Sequence, residues 1–286
     1  MNKKTLDLTP YPVAYWDQGQ GPAIVFLHGF LGDANTWCAL AQPLAPHFRC
    51  IALDLLGFGE SAQPKLRYTI WDQVAFLHQV LQALELQDFY LVGHSYGGWV
   101  AVAYALALAG MGGNPEKTAW VPTAPLVLEK SCLWGLGLVA PAGIRDDSFV
   151  GRYTHLKPLL WETPLVDWAI AALAPIAALT GKTETYQTLH QARQAFKAQP
   201  VAKSFIVDRL EPEDAIDTVE RFLGQIQVPT LVFAGEADQT IPLWHCQTYA
   251  AGLSEAQLIA FPETDHDLPQ SQVEAIAAHL ISHWQG

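Results

Sequence analysis

Positive charge is scarce in this sequence. Lysine and arginine together number 16 among 286 residues, against 28 aspartates and glutamates, for a formal charge of −12 at neutral pH. No basic patch is left to neutralise nucleic-acid phosphates, which removes the usual source of sequence-independent binding. The same deficit disfavours electrostatic docking on an anionic membrane. Cysteine is scarce too. Cys38, Cys50, Cys132 and Cys246 are scattered without a CxxC pair, which reads as packed, reduced thiols rather than a disulfide framework. Long hydrophobic runs are missing: Leu165 to Leu179 is interrupted by Asp167 and Pro175 and is too short to span a bilayer. Lys3 and Lys4 are followed by no apolar stretch of signal-peptide type. The expectation is a soluble cytoplasmic protein with a small-molecule substrate, no nucleic-acid partner and no stable membrane anchor.

Half of the residues are hydrophobic and only 15% are charged, the composition of a globular chain. Short apolar runs alternate with longer helical patterns, as in strand-helix-strand units that build a parallel sheet. Ile24–Leu27, Phe48–Leu56, Phe89–Val92, Leu133–Ala140, Thr230–Ala234 and Leu258–Phe261 are the predicted strands, and the first three run into glycine. Val74, Leu77, Leu81 and Leu84 share one stripe of a helix over Ile70–Leu86, and Gly97–Ala109 is rich enough in alanine to be a buried helix. A final helix carries Val273, Ile276, Ala277, Leu280, Ile281 and Trp284 on its apolar face, with Pro269 placed for its first turn.

Two segments break the alternation. Residues of about 110–132 carry Gly, Pro, Asn and Thr punctuation and read as a surface insertion. Residues 145–224 read as helical throughout, with Phe149, Leu159, Leu160, Trp161 and Trp168 among their apolar positions. The expected division is a core in two parts, 1–144 and 225–286, around a helical block at 145–224.

Gly93-His94-Ser95-Tyr96-Gly97 matches G-x-S-x-G, and its setting between a predicted strand and a predicted helix gives the match its weight. Such a serine is forced into a sharp turn, with small residues two positions to either side letting the backbone cross itself. Its hydroxyl then stands at a helix N-terminus, which favours negative charge. The bland reading is a helix-capping serine in a glycine-rich turn. His28-Gly29-Phe30 closes the upstream strand where a second oxyanion donor belongs, so the Phe30 and Tyr96 amides are the candidate pair.

Three other motifs carry less. Gly135-Leu136-Gly137-Leu138-Val139-Ala140 fits a dinucleotide fingerprint but lies inside a predicted strand, where close backbone packing explains its glycines. Residues 113–118 resemble a P-loop tail, with Glu116 where glycine is required. His279 and His283 have metal-ligand spacing but no third ligand in the pattern, so a solvated helix face is the expectation and no metal is expected.

His28-Gly29-Phe30, Asp54-Leu55-Leu56-Gly57-Phe58-Gly59-Glu60-Ser61, Gly93 to Gly98 and Gly235-Glu236-Ala237-Asp238 together resemble, in order, the successive signatures of the α/β-hydrolase superfamily. The resemblance implies an α/β-hydrolase fold, a mostly parallel sheet flanked by helices, with residues 145–224 as a lid inserted after strand six. It implies the chain order serine, acid, histidine. Ser95 would be the nucleophile, His266 the base, and Asp238 the orienter of the histidine ring, with Asp146 and Asp147 as the alternative acid. Asp265 and Asp267 flank His266 where most relatives carry glycine. The implied activity is cofactor-free hydrolysis of a small, moderately hydrophobic ester or related acyl compound, with Trp161 and Trp168 as candidate pocket residues. Carbon-carbon bond hydrolases, perhydrolases and a menaquinone-pathway lyase share that triad, and a low-turnover ligand receptor could retain it. Dehalogenases and epoxide hydrolases need aspartate where Ser95 stands.

Overall fold

The computed structural model describes residues 2–8, 11–110, 132–146, 164–197, 200–204 and 218–285. The chain opens with an antiparallel hairpin, Asn2–Leu8 (β1) and Tyr11–Gln18 (β2). Ala23–Leu27 (β3) is buried at every position, as a strand covered on both faces must be. A 3-10 turn at Ala34–Trp37 leads into Cys38–Leu44 (α1), then Arg49–Leu53 (β4) and Ile70–Ala83 (α2). Thr69 and Asp72 form a reciprocal capping box that fixes where α2 begins. Asp88–His94 (β5) runs into Tyr96–Leu108 (α3), a helix buried nearly all round. Cys132–Val139 (β6), Thr230–Gly235 (β7), Leu243–Gly252 (α7), Ala256–Phe261 (β8), Leu268–Ser271 (α8) and Val273–Gln285 (α9) complete this part of the chain. Between β6 and β7 lie Pro164–Leu179 (α4), Thr183–Lys197 (α5) and Pro200–Lys203 (α6).

The sheet order is β1-β2-β4-β3-β5-β6-β7-β8, with β2 antiparallel to both neighbours and every pair from β4 to β8 parallel. From β3 the chain steps first to β4 on one side and later to β5 on the other. A crevice therefore opens between the loops leaving β3 and β5, the place where ligands bind in open parallel sheets. Alternation along the strands turns Ile24, Phe26, Cys50, Ala52, Tyr90 and Val92 into one core with residues of α1 and α9. On the other face α3 packs on β3 and β5, and α2 packs on α3.

The Asp54 to Ser61 motif acts as a staple. Asp54 is buried, and its carboxylate accepts from Ala34 N at 2.7 Å and Glu60 N at 2.8 Å. Ser61 Oγ donates to the Asp54 carbonyl at 2.6 Å and accepts from Ala14 N at 3.0 Å. Gly59 has φ +53°, and a Cβ there would sit 2.2 Å from the Asp54 carboxylate. This hydrogen-bonded turn explains why β4 stops at Leu53, three residues short of the expected Leu56.

Other boundaries shift for local reasons. Helix α2 ends at Ala83, because Glu85 takes a left-handed φ of 54°. Pro269 opens the four-residue α8, and α9 starts separately at Val273. The close-packing reading of Gly135 and Gly137 holds: both lie within β6, and a Cβ on Gly135 would come 2.7 Å from Trp284 Nε1. All four cysteines are free, and burial pushes the Cys50 and Cys246 thiols up to about 12.

The chain forms two compact units. One comprises Met1–Ala62, Thr69–Arg145 and Asp217–Gly286 and holds the sheet; the other comprises Gln63–Tyr68 and Asp146–Ile216. Within the second, the fully buried Arg193 of α5 grips Asp167 of α4 with two hydrogen bonds of 3.0 and 3.2 Å. Of the surface insertion expected at about 110–132, residues 111–131, with 113–118 among them, lie outside the described residues, as do Asp147, Phe149, Leu159, Leu160 and Trp161. Among the described residues no helix is long and apolar enough to cross a membrane.

Asp54→Ala leaves two buried amides without their acceptor. It is expected to lower unfolding stability by about 2 kcal/mol in urea titration, with little change in the slope of the transition.

Candidate active site

Ser95 sits between β5 and α3 with φ 51° and ψ −115°, a conformation that costs a non-glycine residue roughly 1–3 kcal/mol. Its neighbours over-determine that conformation. Ser95 N donates to Val139 O at 2.9 Å, and Ser95 O accepts from Gly98 N, Trp99 N and Ala142 N at 3.0–3.2 Å. A Cβ on Gly93 would meet Gly97 O at 2.3 Å, and one on Gly97 would meet Leu27 O at 2.1 Å. Only glycine fits at either place. The serine is thereby presented at the N-terminus of α3 on the carboxyl side of the sheet, 7% exposed.

The turn after β3 reaches the same spot. Gly32 N bonds to Gly29 O at 3.1 Å, closing a turn around Phe30. His28 locks this turn from beneath: its Nδ1–H donates to Gly29 O at 2.7 Å and its Nε2 accepts from Leu55 N at 3.0 Å. A Cβ on Gly29 would lie 3.3 Å from Ser95 Cβ, so the turn abuts the serine. The rings of Phe30, Phe58 and Tyr96 meet pairwise at 5.9–6.0 Å beside it.

Asp238 and His266 come from the loops after β7 and β8. These loops are zipped together by Glu236 N to Phe261 O and Ala237 N to Thr264 O, each 3.0 Å. A Cβ on Gly235 would be 2.3 Å from Thr264 O, so glycine is required for that approach. Asp238 is buried; Oδ1 accepts from Thr240 N at 2.7 Å and Ile241 N at 2.8 Å, and Oδ2 faces His266 Nδ1 at 2.7 Å. That contact assigns the proton to Nδ1 and leaves Nε2 as the acceptor. Asp265 accepts from His266 N at 2.8 Å and Gln239 N at 3.3 Å and joins the two loops.

Ser95, Phe30, Tyr96, Asp238 and His266 thus all lie in the sheet-bearing unit, at the carboxyl ends of β3, β5, β7 and β8. Asp238, and not Asp146, is the carboxylate bonded to the His266 ring. Trp168 lies on α4 in the other unit with 65% of its surface exposed, and Trp161 is outside the described residues. Sequence reading left two participants out. His94, a variable letter of the G-x-S-x-G motif, lies against His266, and Asp265, a neighbour of the histidine in sequence, anchors its loop. Among the described residues no group of three His, Cys, Asp or Glu side chains could hold a metal.

Residues 22–117 match the family described as the alpha/beta hydrolase fold. The chain has the α/β-hydrolase fold. It is 28% identical to an uncharacterized protein of Mycobacterium tuberculosis over 90% of this chain and 73% of that protein. It is also 28% identical to the 2-hydroxymuconate semialdehyde hydrolase of a Pseudomonas species, over 87% of this chain and 82% of the other. A thermophilic esterase from Thermogutta terrifontis superposes with TM-score 0.70 at 22% identity, covering 100% of this chain and 98% of that one.

Burial pushes His28 and His94 below the ordinary histidine value of 6.5, and with His266 beside it His94 falls to about 3. Each ring is therefore neutral in the fold while the unfolded chain takes a proton below 6.5. The stability that His94 contributes is full above that value and is lost as pH drops from 6.5 toward about 3, at about 1.4 kcal/mol per pH unit; His28 acts in the same direction. Urea unfolding across that range is expected to show the decline, and His94→Gln to flatten part of it.

Proposed function

We propose that this protein is a serine hydrolase acting on a small, moderately hydrophobic carboxylic ester or related acyl compound. The observation that carries the reading is the 2.7 Å bond between His266 Nδ1 and the buried Asp238 carboxylate, in the same unit as a serine held at φ 51°. A serine hydroxyl is a weak nucleophile at neutral pH and needs a base whose tautomer is fixed.

In this scheme Ser95 Oγ attacks the substrate carbonyl as its proton passes to His266 Nε2. The resulting imidazolium is stabilised by Asp238, which stays ionised. The Phe30 and Tyr96 amides hold the oxyanion; one such donor is worth about 10²–10³ in rate. Collapse of the tetrahedral intermediate expels the alcohol, which takes the proton from His266, and leaves the acyl group on Ser95. Water, deprotonated by the same nitrogen, then attacks the acyl-enzyme, and Ser95 leaves with the returned proton. No step calls for a cofactor. In the same reading residues 145–224 serve as the lid, and Trp161 and Trp168 contact the apolar part of the substrate, a role that the exposure of Trp168 permits.

A second reading, carbon-carbon bond hydrolysis by the same triad, is favoured by the similarity to 2-hydroxymuconate semialdehyde hydrolase across 87% of the chain. Parallel assays with p-nitrophenyl esters of increasing acyl length and with 2-hydroxymuconate semialdehyde separate the two. Ester turnover that peaks at short to medium chains supports the first reading, and turnover of the semialdehyde alone supports the second.

Under either, Ser95→Ala is expected to abolish turnover. Asp238→Asn, which leaves His266 in the wrong tautomer, is expected to lower kcat by about 10⁴, while Asp146→Asn stays near wild type. Full turnover by Ser95→Ala contradicts the scheme.

A further inference from the structure

Within Gly93-His94-Ser95-Tyr96-Gly97 the two glycines and the serine have physical reasons to be there, and the histidine has none so far. His94 is the last residue of β5, and its ring is nearly buried. Nε2–H donates to the backbone carbonyl of His266 at 2.9 Å, and the two imidazoles lie 4.7 Å apart at an interplanar angle of 40°. Gly29 leaves room on another side: a Cβ there would come within 3.0 Å of His94 Nδ1 and 3.4 Å of Cε1. The indole of Trp37 stands edge-on at 6.5 Å. One ring is therefore enclosed by the three segments that carry Phe30, Ser95 and His266.

We infer that His94 is a positioning residue for the base: its Nε2–H, given to the carbonyl of His266, fixes the His266 backbone relative to Ser95. The inference rests on the triad reading proposed above. Asp238 orients the His266 ring through Nδ1 but does not hold its main chain toward Ser95. Asp265 ties the His266 amide to the loop after β7, not to the β5 elbow. The bond from His94 joins the base loop to the residue adjacent to Ser95, so it sets the separation that proton transfer depends on.

The chemistry suits a neutral imidazole. A donor at Nε2 leaves Nδ1 without a proton. The titratable groups facing the ring are His266 and Asp238 from the two zipped loops and His28 from the end of β3. Burial, and the His266 charge whenever that ring is protonated, keep His94 uncharged at neutral pH. The base can become a cation without meeting a second cation 4.7 Å away.

The test is the second-order rate at which a fluorophosphonate labels Ser95, followed across pH in wild type, His94→Gln, His94→Asn and His94→Leu, with Ser95→Ala as control. The glutamine amide reaches where Nε2 lies, whereas the asparagine amide reaches only the Nδ1 position. His94→Gln is expected to keep most of the rate, and His94→Asn and His94→Leu to lose about 10²-fold, the effect of a misplacement near 1 Å. The acid-side fall in rate is expected in every variant, because His266 accepts the proton. Wild-type rates in the Asn and Leu variants overturn the inference. Loss of the acid-side fall in His94→Gln also overturns it, since His94 would then be the proton acceptor. Should the Asn and Leu variants fail to fold, nitrogen-15 NMR of wild type decides: an Nε2–H tautomer without titration between about pH 5 and 8 is expected, and an Nδ1–H tautomer or a titration in that window overturns it. Failure of wild type to label, or equal labelling of Ser95→Ala, sinks the triad reading, and the role of His94 falls with it.

Discussion

Ser95 keeps its left-handed backbone because two glycines let chains approach where any Cβ would collide. Gly97 lies against the Leu27 carbonyl and Gly93 against Gly97, with clearances of 2.1 and 2.3 Å to a hypothetical Cβ. The end of strand β6 and the loop after it then clamp the turn, through Val139 O and Ala142 N. The strain at one residue is offset by a set of backbone hydrogen bonds to rigid strands, which is how a reactive hydroxyl can be held without a flexible loop.

The other candidate groups are placed by the same device applied twice more. Gly29 brings the β3 turn against Ser95 and His94, and Gly235 brings the β7 loop against Thr264. Buried polar side chains finish the work. His28 pins the first turn to Leu55, Asp238 caps its own loop while facing His266, and Asp265 crosses from one loop to the other. Each of these groups takes hydrogen bonds from or gives them to backbone, so the fold pre-organises the site. The neutrality of His28 and His94 follows from the same burial, and ties the integrity of the site to pH.

Ser95 was legible from a G-x-S-x-G motif set between a strand and a helix, and the resemblance to the α/β-hydrolase superfamily pointed to Asp238 and His266 at later strand ends. The parallel strands were legible from apolar runs such as Ala23–Leu27 that are buried throughout. Strand β1 was not, because Asn2–Leu8 has no buried face and exists through its pairing with β2. The early end of β4 depends on Asp54 meeting an amide 20 residues upstream, and the contact of His94 on a carbonyl 172 residues downstream. Neither leaves a periodic trace, since such contacts belong to the tertiary fold and not to local pattern.

The central claim is that Ser95 is a nucleophile activated by the His266–Asp238 pair. Peptide mapping by mass spectrometry after fluorophosphonate treatment tests it most directly. The account predicts a single adduct on Ser95 in wild type at neutral pH, and almost none when His266 is replaced by alanine. An adduct on another residue, or undiminished labelling of Ser95 without His266, would contradict it.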